Sequence, residues 1–375
     1  MRVALELQPC GRQMTGIGHY TYELVKRLIP TEEMRIQGNL FNFAGRLDNK
    51  FPYDAMPFPV VENRFMAYGV FRRLWRFLPV DYEAFFGEAD VTHFFNYIVP
   101  PRISGKVITT VHDMTHVRFP ETVDKRNLRR LRQGLDYSLA RSELIMTSSA
   151  FSKREIVELC GIPEEKITVV YPAPSISGGT CDKNELFHRF GIVRSYLLYV
   201  GSIEPRKNLS RLLMAYQKLR DARKTTAQLV LCGGNGWNNE QFYETLAKVP
   251  YHDDVVITGY VTAPEKNTLL ANADAFVFPS LYEGFGMPPL EAMYWGTPVV
   301  CSNAASLPEA AGEAACYVDP LSVESIAEGI ERVISDKVYA RQLVEAGKNR
   351  CRQFDWDDSA EKLEWMYRSI REGTI

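Results

Sequence analysis

Short runs of apolar residues alternate along the chain with longer segments whose apolar residues recur at helical spacing. VALEL, KVITTVHD and YLLYVGS are typical of the short runs, and NLSRLLMAYQKLRDA is typical of the longer segments. Apolar runs that are separated by helix-length crossovers indicate parallel β-sheets covered on both faces. The pattern predicts strands at residues 3–7, 91–95, 106–113, 144–149, 167–172, 196–202, 228–234, 255–261, 275–280, 298–303 and 315–320.

One segment, residues 171–184, interrupts this alternation. Its sequence, YPAPSISGGTCDKN, is rich in Pro, Ser and Gly, and we interpret it as an interdomain linker. A chain of 375 residues is also longer than the usual length of a domain with a single hydrophobic core. We therefore expect an α/β protein with two doubly wound parallel sheets, and a ligand site in the cleft between the carboxyl ends of their strands.

Composition narrows the classes of protein to consider. With 46% hydrophobic residues and a formal net charge of -2, the chain is typical of a soluble globular protein and not of a nucleic-acid-binding one. The apolar runs are far shorter than the roughly 20 residues of a membrane-spanning helix. The N-terminal sequence MRVALELQPC predicts a first strand and lacks the pattern of a signal peptide. The scattered cysteines, without a C-x-x-C pair, favour a cytoplasmic location and argue against a zinc site.

The sequence EGFGMPPLEAMYWGTPVV, residues 283–300, places a glycine-rich loop between a predicted strand and a predicted helix. Its two prolines suit the first turn of a helix, where a missing N–H costs nothing. Backbone N–H groups near Gly284, Phe285 and Gly286 would then face the ligand, with the positive end of the helix behind them. This arrangement suits a phosphate.

An acid stands on each side of this loop, at Glu283 and Glu291. Taken singly, Glu291 is explained as a first-turn acid that complements the helix dipole, and Glu283 as a solvated loop residue. Taken together, the two acids can accept hydrogen bonds from hydroxyls on either side of a phosphate. A ligand with hydroxyls on both sides of a diphosphate is a nucleotide-sugar, which is the ligand we expect.

Adjacent cations follow another strand, in the sequence VGSIEPRKNL. Arg206 and Lys207 could be ordinary solvated loop residues. Because they are expected at the same sheet edge as the glycine-rich loop, we predict that they stabilise a departing nucleoside diphosphate without a metal.

Two features of the first half are weaker signals. His112 and Asp113 end the predicted strand of TTVHDMTH, at the edge where a ligand is expected, although a lone histidine there is as often structural. Gly16 and Gly18 open a helix, and close packing of the loop explains this glycine pair equally well.

Together these residues resemble the retaining glycosyltransferases of the GT-B fold, in the family that includes bacterial α-mannosyltransferases and glycogen and sucrose synthases (glycosyltransferase family 4, group 1). The resemblance implies two Rossmann-like domains that face a central cleft. Residues 1–175 would bind the acceptor, residues 176–355 would bind the nucleotide-sugar, and a last helix at 356–375 would return to the first domain. The resemblance extends over nearly the whole chain. The segments that carry it are GIGHYTYEL, TVHDMTH, SSAFSKREI, VGSIEPRKNL, TGYV, FPSLYEGFGMPPLEAMYWGTPVV and SLPEAAGEAACYVDP.

The resemblance also implies roles for individual residues. Glu283 would hold the hydroxyls of the donor sugar, Glu291 the ribose, and Arg206 and Lys207 the diphosphate. Many relatives carry Arg where Ser202 stands, so we infer that Arg206 takes over that charge. Further donor contacts are expected at Gly18, Ser202, Tyr260, Val261, Gly284, Phe285, Gly286, Met287 and Leu290.

On the acceptor side, the resemblance places His112 near the reacting sugar and implies acceptor contacts from Gly16, Tyr20 and His116. The implied chemistry is transfer with retention at the anomeric carbon, without a metal or other cofactor. The sequence DWDD at residues 355–358 looks like a metal-binding D-x-D motif but is better explained as the cap of the helix that follows.

The function implied is an α-mannosyltransferase that moves mannose from GDP-mannose to a lipid-linked cell-surface polysaccharide, as in O-antigen synthesis. A rhamnosyl-, glucosyl- or N-acetylglucosaminyl transferase of the same fold is the alternative. A nucleotide-sugar epimerase would need acids placed for elimination. A sensor without catalytic activity is disfavoured by the intact acids and cations.

Residues 64–79, RFMAYGVFRRLWRFLP, interleave arginines with aromatic residues. Such a segment suits an anionic membrane surface or a lipid-linked acceptor, and equally an ordinary surface helix with extended basic side chains. The first interpretation would place the protein at the cytoplasmic face of the inner membrane. The arginines concerned are Arg64, Arg72, Arg73 and Arg76.

Overall fold

The computed structural model describes residues 1–11, 14–75 and 77–373. Arg76 of the basic-aromatic segment and the last two residues of the predicted final helix therefore lie outside the described residues. The strands are β1 Arg2–Glu6, β2 Arg35–Phe41, β3 Val60–Asn63, β4 Val91–Phe94, β5 Lys106–Thr110, β6 Leu144–Thr147, β7 Ile167–Val169, β8 Tyr196–Val200, β9 Gln228–Cys232, β10 Val255–Gly259, β11 Ala275–Phe278, β12 Val299–Ser302 and β13 Ala315–Val318.

Helices connect these strands. They are α1 Gly16–Val25, α2 Tyr68–Leu74, α3 Glu83–Phe86, α4 Thr115–Arg118, α5 Lys125–Arg141, α6 Ala150–Cys160, α7 Lys183–Phe190, α8 Leu209–Asp221, α9 Glu240–Leu246, α10 Ala263–Ala271, α11 Met287–Tyr294, α12 Leu307–Ala311, α13 Val323–Ser335, α14 Lys337–Cys351 and α15 Trp356–Glu372. Of the described helices, none is both long and apolar enough to cross a membrane.

The chain folds into two compact units. Unit 1 contains residues 1–114, 126–172 and the chain from Asp355 onward, and unit 2 contains residues 115–125 and 173–354. The chain thus passes into unit 2 within the Pro- and Gly-rich segment that the sequence marks as a linker. It returns to unit 1 directly before α15.

Unit 1 is built on a parallel sheet with the strand order β3-β2-β1-β4-β5-β6-β7. The sequence pattern predicted β1 and β4 to β7 but not β2 or β3. β2 contains Gly38 among polar residues, so it lacks a continuous apolar run. A Cβ atom at this glycine would lie 2.4 Å from Cδ1 of Leu7, which directly follows β1, so the Leu7 side chain would have to move.

Unit 2 is built on a second parallel sheet, in the order β10-β9-β8-β11-β12-β13, and all of these strands were predicted. Strands such as β11 and β12 are buried along their whole length, which explains their continuous apolar sequences. In both sheets the order reverses once, between β1 and β4 and between β8 and β11. This doubly wound topology confirms the predicted pair of Rossmann-like domains.

The last helix packs against unit 1. The Tyr367 hydroxyl lies 2.8 Å from Nδ1 of the buried His93, and the Ser359 hydroxyl donates to the Tyr171 carbonyl at 2.6 Å. Asp355 stands at the N-cap of α15, and its carboxylate accepts from the Asp357 N–H at 2.6 Å. The DWDD sequence is thus a helix cap, as predicted.

Candidate active site

Two loops at the carboxyl ends of the neighbouring strands β8 and β11 carry the predicted donor residues of unit 2. Arg206 and Lys207 belong to the single turn Pro205–Lys207 that follows β8, and Glu283 follows β11. The backbone N–H of Leu281 donates to the Arg206 carbonyl at 2.9 Å, which ties the two loops together. The predicted acid and cations therefore meet at one point of the sheet edge.

Glu283 is ion-paired to both cations. Its Oε1 lies 2.6 Å from Nζ of Lys207, and its Oε2 lies 2.7 Å from Nη1 of Arg206. Burial alone would raise the pKa of this carboxyl, but the two cations outweigh burial and lower the pKa to about 2. Glu283 is therefore a fully ionised hydrogen-bond acceptor at neutral pH.

A second acid, Glu204, completes the cluster, and the sequence analysis did not identify it. Its carboxylate pairs with Nη2 of Arg206 at 2.8 Å, and its side chain is only 1% exposed. Arg206 also donates to the Tyr282 carbonyl at 2.6 Å. Two carboxylates thus balance two cations, so the cluster carries no net charge before a ligand binds. An acid two residues ahead of a basic pair in a glycine-containing loop was the available signal.

Lys207 is less fully committed than Arg206. It donates to Glu283 and lies 5.0 Å from the centre of the Phe278 ring. An ammonium has three N–H donors, whereas Arg206 already serves Glu204, Glu283 and a backbone carbonyl. Lys207 can therefore donate to a phosphate oxygen while it still holds Glu283.

The glycine-rich loop has the backbone that its sequence indicates. Gly286 directly precedes α11 with φ 122°, and a Cβ atom there would lie 2.7 Å from Cδ2 of Leu307, so glycine is needed both for conformation and for space. The Ser306 hydroxyl lies 2.7 Å from the Glu283 carbonyl and 2.9 Å from the Phe285 carbonyl. Ser306, another residue that the sequence analysis missed, thus fixes the loop that presents Glu283.

Glu291 belongs to a separate ion pair. It is the fifth residue of α11, beyond the first turn, so complementing the helix dipole does not explain it. Its Oε2 lies 2.7 Å from Nζ of Lys266 on α10, and its side chain is 8% exposed. Burial raises its pKa, although Lys266 and the backbone N–H of Ser175 act in the opposite direction. Lys266 is a third residue that sequence reasoning missed.

The other predicted donor residues of unit 2 differ in accessibility. Tyr260 is 64% exposed and its ring lies against Gly234, where a Cβ atom would be 2.2 Å from Cε2. Leu290 is fully buried, and the Ser202 carbonyl accepts from the Tyr199 hydroxyl at 3.0 Å. Val261 and Met287 are partly buried. Their contacts with a donor stay predictions.

The predicted residues of unit 1 centre on His112, which follows β5. Its Nε2–H donates to the Phe95 carbonyl at 2.8 Å, and its ring meets those of Tyr20 and Tyr97 edge-on. Burial lowers the pKa of His112, so the imidazole is neutral at physiological pH. Tyr20 is 2% exposed and donates its hydroxyl to the Val170 carbonyl at 2.6 Å.

Close packing explains one of the two glycines in the glycine pair of unit 1. α1 begins at Gly16, and a Cβ atom at Gly18 would lie 2.7 Å from the Pro9 carbonyl oxygen. Gly18 is therefore required for close packing. His116 is buried on α4, and its residue range belongs to unit 2. The donor contact of Gly18 and the acceptor contacts of Gly16, Tyr20 and His116 stay predictions.

Across residues 1–11, 14–75 and 77–373, no three His, Cys, Asp or Glu side chains gather in a way that could hold a metal ion. All seven cysteines are free thiols. Metal independence stays a prediction, because a donor diphosphate can itself supply oxygen ligands.

The two halves of the chain match two family models. Residues 14–174 match the model of Glycosyltransferase Family 4, and residues 183–350 match that of Glycosyl transferases group 1. The O-antigen chain mannosyltransferase B of Escherichia coli is 32% identical over 379 residues, which cover 96% of this chain and 97% of that protein. The chain is a glycosyltransferase of this family.

Solved structures show the same fold as this glycosyltransferase. Sucrose-phosphate synthase from Thermosynechococcus elongatus superposes with a TM-score of 0.74 at 17% identity, with complete coverage of both chains. Anabaena HepE, solved in complex with UDP-glucose, superposes with a TM-score of 0.75 at 16% identity, over 98% of this glycosyltransferase and 100% of HepE. This likeness confirms the predicted GT-B fold.

Proposed function

We propose that this glycosyltransferase is a retaining α-mannosyltransferase that uses GDP-mannose and a lipid-linked, O-antigen-like acceptor. The similarity to the Escherichia coli O-antigen mannosyltransferase over nearly the full length of both proteins supports the sugar and the acceptor class. The observation that carries the proposal is the ionised Glu283, held between Arg206 and Lys207 at the edge of the unit 2 sheet.

This cluster suits a sugar diphosphate for a specific reason. A carboxylate with a pKa of about 2 accepts hydrogen bonds from sugar hydroxyls at any physiological pH. The adjacent Lys207 ammonium is available to the phosphate that the same sugar carries. Glu291, in its own ion pair on α11, accepts hydrogen bonds from the ribose at the other end of the diphosphate.

The reaction proceeds with front-face attack. The bond between the anomeric carbon and the diphosphate oxygen breaks, and the acceptor hydroxyl oxygen bonds to that carbon from the same face. The proton of that hydroxyl passes to the departing phosphate, and the nucleoside diphosphate leaves. A double displacement would instead need a carboxylate nucleophile, but Glu283 is held by two cations. The protein contributes positioning and a fixed cation at the leaving group, so it needs no metal.

For the acceptor, the proposal includes contact between residues 64–79 and a membrane surface. Phe65 is 93% exposed and Phe77 is 84% exposed, whereas Phe71 is fully buried and Trp75 packs against core residues. Exposed apolar side chains in a segment that also contains the exposed Arg73 suit an anionic bilayer surface. Such binding would hold the enzyme at the cytoplasmic face of the inner membrane, together with the proposed lipid-linked acceptor.

A thermal-shift panel of GDP-, UDP-, ADP- and dTDP-sugars tests the donor, because a ligand that binds the folded state raises its melting temperature by mass action. We expect the largest shift with GDP-mannose. NMR of the product then tests retention, since the new linkage should have the α configuration of the donor. A larger shift with a UDP- or dTDP-sugar would favour the glucosyl, N-acetylglucosaminyl or rhamnosyl alternatives, and a β-linked product would exclude retention.

A further inference from the structure

A buried acid of unit 1, Glu6, lies where the strand order of its sheet reverses. Glu6 is the last residue of β1, and β1 neighbours β4 at the reversal. Ligands of doubly wound sheets bind outside the carboxyl ends of the strands at such a point. The charges of Arg130, on α5, and of Arg72, on α2, both act on the Glu6 carboxyl.

The two arginines also line a cavity of about 230 Å³. Trp75, Ile98 and Tyr137 contribute apolar walls to it. Because pockets for whole drug-sized ligands measure roughly 300–1,000 Å³, this cavity holds one group of a ligand and leaves the remainder outside.

Neither arginine forms an ion pair within the part of the chain that the structure describes. Arg130 donates from Nη2 to the Asn96 side chain at 3.3 Å, while its buried Nε has no partner among the described residues. Arg72 lies over the Tyr68 ring, 5.6 Å from its centre. Burial and the nearby charge of Arg72 lower the pKa of Arg130. Since partly buried like charges are costly without an opposite charge, the cavity suits an anion.

Glu6 acts electrostatically on both arginines, but among the described residues it forms no ion pair with either, and it does not line the cavity. It is only 3% exposed, and its Oε1 has no hydrogen-bond partner among the described residues. Burial raises the pKa of Glu6 to about 8, although Arg130 and Arg72 act in the opposite direction. Because burial disfavours the charged form of this carboxyl, Glu6 offsets the arginine charge less than an exposed carboxylate would.

We propose that Arg72 and Arg130 bind the phosphate of the lipid-linked acceptor, while the apolar wall of the cavity contacts the first carbons of its lipid. The identity of this ligand rests on the proposed function. The site differs from the diphosphate contact of Lys207, because all of its residues belong to unit 1.

Calorimetric titration with decyl phosphate tests this assignment. Saturating GDP is present throughout, so that the donor site is filled. We expect decyl phosphate to bind the wild type at least about tenfold more tightly than it binds Arg130→Met, because a charged hydrogen bond is lost. Arg132→Met, on the exposed side of the same helix, is the matched control and should bind like the wild type.

Inorganic phosphate and decyl α-mannoside are titrated in the same way as comparison ligands. Tighter binding of decyl phosphate than of either supports a lipid-borne phosphate. Equal affinity for inorganic phosphate would show a site for free phosphate, and preferential binding of the neutral mannoside would show a sugar site. Each of these two results, or no binding of decyl phosphate, would overturn the proposal. Should Arg130→Met fail to fold by circular dichroism, Arg72→Met replaces it.

Acceptor kinetics give a second measurement. Arg130→Met should raise the KM of a decyl diphosphate-linked mannoside about tenfold or more, and should leave the KM of decyl α-mannoside and of the donor unchanged. An equal rise for both acceptors would contradict a phosphate contact. If the wild type transferred no sugar from any donor, the proposed function would fail, while the titration would still decide whether the phosphate site exists.

Discussion

Lys207 and Glu283, which the sequence separates by 76 positions, form a buried ion pair with 2.6 Å between Nζ and Oε1. The cation proposed for the donor's diphosphate therefore holds the acid proposed for the donor's sugar. Because the whole cluster is electrically balanced by Glu204, the incoming diphosphate adds negative charge to a neutral site. The N–H groups of Lys207 that Glu283 does not use can receive that charge, and each member of the cluster carries its own prediction.

Glu283→Gln should lower kcat by about 10²-fold. The affinity of this variant for GDP should equal or slightly exceed that of the wild type. The amide loses the charge that stabilises the sugar ring as positive charge develops there. It also releases Lys207 from its carboxylate partner and leaves Arg206 paired with Glu204 alone, and GDP has no hexose to lose. Donor kinetics and GDP titration measure both effects. Glu313→Gln, at an exposed position of unit 2, is the control. Loss of GDP binding in Glu283→Gln would mean that this acid serves the nucleotide end.

Glu291→Gln should instead raise the donor KM, by the equivalent of about 1.5–3 kcal/mol, and leave kcat nearly unchanged. The ribose does not react, so its hydrogen bonds to Glu291 are equally strong in the ground state and the transition state. Steady-state kinetics with varied GDP-mannose measure the effect. Full donor affinity in this variant would show that the assignment of the ribose to Glu291 is wrong.

Lys266→Met should make donor binding depend on pH. Burial already raises the pKa of Glu291, and loss of the Lys266 charge should raise it further. Glu291 would then become protonated at a higher pH than in the wild type. The acid limb of the kcat/KM profile for the donor should therefore move to higher pH. Lys248→Met, an exposed lysine of the same unit, should leave the profile in place. An unmoved acid limb in Lys266→Met would argue that Glu291 does not bind the donor.

The sequence predicted the meeting of Arg206, Lys207 and Glu283 because each follows a buried strand, and the carboxyl ends of neighbouring parallel strands share one edge. It did not predict that the acid and the cations pair directly, since side-chain direction within a loop depends on tertiary packing. The same limit applies to Ser306, whose hydroxyl fixes the Glu283 loop from a later part of the chain.

The unpredicted strands have a comparable explanation. β2 was missed because Gly38 interrupts its apolar run, and the space beside this glycine is filled by Leu7, which directly follows β1. Pattern analysis therefore succeeded where burial alone decides the sequence, as in β11, and failed where a contact between distant residues decides it.

The double substitution Phe65→Ser/Phe77→Ser should weaken sedimentation with anionic liposomes by at least about tenfold, because burying one phenylalanine side chain contributes about 1.5–3 kcal/mol. Donor KM should not change. The matched control is Val193→Ser/Leu321→Ser, which removes two comparably exposed apolar side chains from unit 2. Unchanged sedimentation of the phenylalanine variant would favour an ordinary surface segment at residues 64–79.

The last prediction concerns the charge at the leaving group. If Lys207 stabilises the departing diphosphate, excess chelator should leave wild-type turnover within about twofold, because the protein supplies the cation that a metal would otherwise provide. Lys207→Ala should lower kcat by about 10²-fold, and added magnesium should restore part of this loss by neutralising the diphosphate in place of the ammonium. Lys224→Ala removes an exposed, ion-paired lysine of the same unit and should behave like the wild type with and without magnesium. Complete loss of wild-type turnover in chelator, with recovery on adding magnesium or manganese, would mean that the donor arrives with a metal and that Lys207 serves mainly to hold Glu283.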